Sequence, residues 1–192
     1  MPLLVIVSGP PATGKTTLGR KLACALGLVM LGKDDIKERL GDALPARSLA
    51  DSKALGAAAY ELLFHLVGDA LESDISVLME TPLYREFHDQ QVQDLVSRAR
   101  ALCIHCYAPQ EVVATRFRQR YERGERHPVH FDAEQPFITD VVSDAEWDRR
   151  ACPLDLGIPT LVLDTANGYV DHLDPVLRFI RSAGNEPEPA YK

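Results

Sequence analysis

Gly9-Pro10-Pro11-Ala12-Thr13-Gly14-Lys15-Thr16 fits G-x-x-x-x-G-K-[ST], the pattern of a phosphate-binding P-loop. An apolar run, Leu3-Leu4-Val5-Ile6-Val7, leads into it. A run suited to a helix, Thr17-Leu18-Gly19-Arg20-Lys21-Leu22-Ala23, leads out. The motif needs that strand–loop–helix setting to act as a cradle. Gly9 and Gly14 reach backbone angles closed to residues bearing a Cβ, so the loop can wrap an anion. Its amide N–H groups then point inward, and the helix adds the partial positive charge of its N-terminus. Gly9, Pro10, Pro11, Ala12, Thr13, Gly14, Lys15, Thr16 and Thr17 are therefore predicted to bind a nucleoside triphosphate, taken to be ATP. Lys15 is expected at the β- and γ-phosphates, the Thr16 hydroxyl on Mg²⁺, and Thr17 at the α-phosphate.

Outward from the motif, strand and helix patterns alternate, which predicts an α/β fold with a mostly parallel sheet and helices on both faces. Strands are expected at Leu3–Ser8, Leu28–Leu31, Ile75–Glu80, Leu102–Tyr107 and Thr160–Asp164. Helices are expected at Lys15–Leu26, Asp34–Gly41, Leu49–Glu72, His88–Arg100, after Pro109, and at Leu173–Ser182. Apolar residues surround most of the Leu49–Glu72 segment, which predicts a heavily buried helix. Gly124 to Asp140 lacks periodicity and reads as a long functional loop. The chain of 192 residues suits one domain, 1–184, with a lid at about 121–143 and a flexible tail, 185–192.

The net charge of −7 argues against general coating of nucleic acid, which needs a broad basic surface. No apolar stretch is expected to approach transmembrane length, and the first apolar run is read as a core strand rather than a signal peptide. A cytoplasmic protein is expected. Cys103-Ile104-His105-Cys106 has the C-x-x-C spacing, but it lies in a predicted strand, where residues three apart face opposite sides. Buried free thiols are expected there rather than zinc or redox work.

Three kinds of P-loop protein compete: switch GTPases, remodelling ATPases and small kinases. No Asn-Lys-x-Asp guanine reader is present. Lys33-Asp34-Asp35-Ile36-Lys37 follows the second strand, and in an open parallel sheet ligands sit beyond the carboxyl ends of strands. A carboxylate there can orient a neutral hydroxyl and accept its proton. The bland alternative is helix capping by an aspartate. Arg116, Arg118, Arg120, Arg123 and Arg126 crowd a short stretch of an acidic chain, and guanidinium groups can hold the charge of a transferring phosphoryl group. Arg120 is assigned a catalytic role and Arg116 a nucleotide-side role. Glu80 closes the third strand and is placed at the substrate or in the Mg²⁺ shell. Asp164, closing the fifth, reads as a loop cap or a residue at the nucleotide's edge rather than a metal ligand, and His127 and His130 read as surface loop histidines.

These residues together resemble P-loop kinases related to polynucleotide 5′-hydroxyl kinase, chloramphenicol phosphotransferase and zeta toxin, from Leu3 to about Asp164. The resemblance implies a P-loop fold of kinase type, with strand order 2-3-1-4-5, five strands and a lid. It implies that Asp34 is the acceptor base and that Lys37 binds the acceptor side, where the family carries Arg. Met79-Glu80-Thr81-Pro82-Leu83 is similar to the family's strand-three Asp-Thr segment, with Glu for Asp. The combined expectation is an ATP- and Mg²⁺-dependent kinase with Lys15, Asp34 and Arg120 catalytic, Arg116 at the nucleotide, and Asp34, Asp35, Lys37 and Glu80 at the substrate. The acceptor is read as a small-molecule hydroxyl compound. A polynucleotide 5′-hydroxyl kinase and a nucleotide-binding regulatory module without transfer activity remain the alternatives.

Overall fold

The computed structural model describes residues 1–134, 142–168 and 173–183. Residues 135–141 of the expected lid and the expected tail, 185–192, lie outside the described residues. Five strands form one sheet: β1 (Leu3–Ser8), β2 (Val29–Gly32), β3 (Val77–Glu80), β4 (Arg100–Tyr107) and β5 (Thr160–Asp164). Their order is β2-β3-β1-β4-β5, and each neighbouring pair runs parallel.

The centre of the sheet follows from the sequence of β1. Leu4, Val5, Ile6 and Val7 are all fully buried. Alternate side chains leave a strand on opposite faces, so this run must be covered on both sides. Leu4 and Ile6 pack with Met79, Cys103, Leu63 and Val67 on one face. Val5 and Val7 pack with Leu18, Leu22, Leu78, Cys106 and Ile180 on the other. Cys103 and Cys106 thus lie on opposite faces as buried free thiols, as expected.

On one side lie α3 (Leu49–Glu72) and α4 (Arg85–Ser97). On the other lie α1 (Lys15–Leu26) and α7 (Leu173–Ala183). Gly27 ends α1 in a left-handed conformation, φ 68°, a turn that favours glycine. Ser48 starts α3 by accepting a hydrogen bond from the Asp51 N–H at 3.1 Å. Further helices are α2 (Lys33–Ala43), α5 (Gln110–Glu122) and α6 (Asp144–Ala151), which was not expected.

Two expectations about α3 need correction. It buries one face, Ala59, Leu63, Phe64, Val67 and Leu71, while Leu62 and Leu66 stay exposed. The alanines that made it read as apolar all round need no burial. By length and composition it is also apolar enough to cross a membrane, with a mean hydropathy of 1.3 over its best window. Here its buried face instead covers the sheet, and Glu61, His65 and Asp69 lie among its exposed residues.

Candidate active site

The P-loop links β1 to α1 in a shape that its residues dictate. Gly9 has φ 132°, and a Cβ there would sit 2.1 Å from the Cys106 carbonyl oxygen. Only glycine meets both conditions. Ala12 and Gly14 are left-handed as well, at φ 59° and 86°. The Pro10 carbonyl accepts from Thr13 Oγ1 and from Lys15 Nζ, each at 2.8 Å, which braces the loop from within. Lys15 is buried, and desolvation lowers its pKa, although Glu80 and Asp34 oppose the shift.

The ends of β1, β2 and β3 open into a cleft of about 780 Å³. Gly14, Lys15, Thr16 and Thr17 of the P-loop segment line it, together with Lys33, Asp34, Lys37 and Tyr60. Glu80 pairs in register with Val7 and Gly32, which places it at the cleft floor. Its carboxylate accepts from the Thr16 hydroxyl at 3.2 Å. Burial raises its pKa, against the opposing pull of Lys15. The paired oxygens of Thr16 and Glu80 suit a hard cation such as Mg²⁺, which takes oxygen ligands. Among the described residues no cluster of three or more His, Cys, Asp or Glu side chains could hold a metal. Asp164 is elsewhere: it accepts from the Ala166 N–H at 2.8 Å, the loop cap expected of it.

Asp34 and Asp35 diverge. Both lie in the first turn of α2, but Gly32 occupies the cap position. The capping alternative therefore fails: the partners of these carboxylates are side chains. Asp34 Oδ1 accepts from Lys33 Nζ at 3.1 Å, and its Oδ2 lies 3.7 Å from Arg126. Burial pushes the Asp34 pKa up, but Lys33, His130 and Arg126 outweigh it and hold the carboxyl well below the usual range. Asp35 pairs instead with exposed Arg20 at 3.3 Å and is not among the cleft-lining residues. Lys37 Nζ donates to Ser52 Oγ at 2.8 Å, and Ser52 donates to the Val129 carbonyl at 2.6 Å. Burial and the nearby Lys33 bring Lys37 down to about 8.

The stretch after α5 forms two short 3₁₀ turns, Pro128–His130 and Asp132–Glu134. It is fastened to α2 rather than exposed as a surface loop. His127 meets Asp42 and His130 meets Glu38, each at 3.0 Å, and His130 is buried. The expectation of a surface histidine is thus wrong for His130, while His127 is half-buried; distant residues Glu38 and Asp42 supply partners that no local pattern announces. A Cβ on Gly41 would lie 2.6 Å from Val129, so glycine permits this close approach. Arg126 forks onto Asp132 at 2.7 and 3.3 Å and lies over the Phe117 ring. Arg116 and Arg120 both line the cleft. Arg116 also donates to the carbonyls of Thr165 and Ala166, at 2.6 and 2.9 Å, tying α5 to the turn after β5. Sequence reading gave no role to Lys33, Tyr60 or Asp132. The Lys33 position inside the acidic motif was the only available signal.

A family model described as an AAA domain matches residues 4–136, more than half of the chain, and the chain belongs to that family. The sequence is 31% identical to a protein from Chloroflexus aurantiacus described as a candidate kinase. That alignment covers 95% of this chain and 98% of the other, with a TM-score of 0.78. A gluconokinase from Sinorhizobium meliloti 1021 is 17% identical over 96% and 95% of the two chains, with a TM-score of 0.53. A shikimate kinase from Acinetobacter baumannii, solved with shikimate, is 18% identical over 97% and 96%, with a TM-score of 0.51. These two likenesses concern the fold, which is the α/β P-loop fold of kinase type. No curated protein matches the sequence at a significant level.

Proposed function

We propose that the protein is an ATP-dependent kinase that moves the γ-phosphate to a hydroxyl group of a small molecule. One observation carries this reading: the P-loop and the Asp34 carboxylate line the same cleft. Lys15 and the loop amides would bind the β- and γ-phosphates, and Thr16, with Glu80 behind it, would hold Mg²⁺. The ion would neutralise developing charge on the phosphates.

Asp34 stays ionised because cations surround it. It would accept the hydrogen bond of the acceptor hydroxyl and so aim the oxygen at the γ-phosphorus. As the new O–P bond forms, the bond to the β–γ bridging oxygen breaks and ADP departs. The hydroxyl proton passes to Asp34. A carboxylate of low basicity suits a loose transition state, in which the proton moves late. Arg120, with Arg116 nearby, would meet the charge on the equatorial oxygens. Lys37 would offer its ammonium to an anionic substituent of the acceptor.

The test incubates the full chain with ATP, Mg²⁺ and a panel of sugars, polyols, hydroxy acids and 5′-hydroxyl oligonucleotides. Phosphorylated product from a small hydroxyl compound is the expected result. Tight ATP binding with no product from any member would replace the kinase with a nucleotide-binding module. Transfer confined to oligonucleotides would make it a polynucleotide kinase.

A further inference from the structure

Lys33 stands beside the proposed base but has no part in the scheme above. Its ammonium lies 3.1 Å from Asp34 Oδ1, and its side chain is only 13% exposed. Adjacent residues on a helix do not face each other, so the lysine must fold back to make this contact. Ordering so long a side chain costs rotamer entropy, so something must hold it there. The Tyr60 ring does so, with Lys33 Nζ 5.4 Å from its centroid. That ring is itself fixed. Its hydroxyl donates to the Pro82 carbonyl at 2.8 Å, and His88 packs on it with centroids 4.1 Å apart.

The two oxygens of Asp34 therefore have unequal surroundings. Oδ1 accepts a short hydrogen bond from a braced lysine. Oδ2 faces Arg126 at 3.7 Å, beyond hydrogen-bond reach, and that arginine is already forked onto Asp132. Resting on the kinase reading, we propose that Lys33 is a positioning residue, pinning Oδ1 of Asp34 so that Oδ2 is presented to the acceptor hydroxyl. Lys33 acts through the carboxylate and need not touch either substrate.

Several other groups also act on Asp34: Lys37 from α2, Arg126 from the loop after α5, His130 from the first 3₁₀ turn, Lys15 from α1, Glu80 from β3 and Tyr60 from α3. Burial raises the carboxyl pKa, and among the charges that lower it Lys33 acts most strongly. Removing Lys33 should therefore move Asp34 even with every other group in place.

The test follows the Asp34 carboxyl carbon by ¹³C NMR in the full chain, with the resonance assigned from Asp34→Asn. In wild type it should titrate well below the ordinary carboxylate. In Lys33→Met it should rise toward the unperturbed value of about 3.9. Lys33→Arg should keep it low. If Lys33→Met does not fold, Lys33→Gln, also uncharged, is read the same way. A titration unchanged from wild type in the uncharged variant would overturn the proposal.

The kinetic arm uses whichever hydroxyl compound the panel identifies. Lys33→Met should lower kcat about 10²-fold, the cost of misplacing a reacting group, with the KM for ATP unchanged. Lys33→Arg should restore most of it. Equal loss in both variants, with a parallel fall in Tm, would mark a merely structural lysine and overturn the role. If wild type phosphorylates nothing, the kinase reading falls, while the NMR titration still decides whether Lys33 holds Asp34.

Discussion

The phosphate side of the cleft is a run of consecutive residues, Gly9 to Thr17, shaped by backbone angles and braced by its own Pro10 carbonyl. The opposite wall brings together α2, Tyr60 of α3 and the 3₁₀ segment after α5, joined by side chains far apart in sequence. One side depends on local stereochemistry, the other on tertiary contacts. A single substitution should therefore damage the first through strain and the second through lost partners. It should also affect different substrates: ATP in one case and the acceptor in the other.

Asp34→Asn probes the acceptor wall most severely. It keeps the shape and removes the negative charge, so kcat should fall about 10²–10⁴-fold, the usual worth of a general base. Calorimetry should find ATP binding nearly intact. Wild-type turnover in this variant would end the division of labour between the two walls. Gly9→Ala strikes the other side. With its Cβ only 2.1 Å from the Cys106 carbonyl oxygen, the loop must shift. A loss of about 3 kcal/mol is expected in urea unfolding, together with weakened nucleotide binding. Unchanged stability and affinity would show that the loop has slack. Ser52→Ala is the mildest. It removes the hydroxyl between Lys37 and Val129 and should cost about 1 kcal/mol. The KM for the acceptor should rise while ATP affinity holds. A change in ATP affinity instead would mean that the walls are mechanically coupled.

The same contrast explains what the sequence made legible. The buried run of β1 after Leu3, the glycines of the loop and the span of α3 follow from apolar patterning and backbone permissiveness within short windows. Asp34 was expected near the P-loop because it sits a short step beyond a strand end, and it lines the same cleft. The burial of His130 was invisible, because its partner Glu38 is 92 residues away. Lys33 sits inside the acidic motif, but its neighbour Tyr60 belongs to another helix and could not be read from the local sequence. Asp35 shows the opposite error. Beside Asp34 in the chain, it points to Arg20, because successive helix residues project in different directions.

The fastening of the 127–134 stretch to α2, rather than to the P-loop, has an evolutionary consequence. On the proposed kinase reading, replacements in those two segments would reshape the acceptor chamber while the glycine turn stays as it is. A lineage of such kinases would change what it modifies without relearning how to hold its phosphate donor.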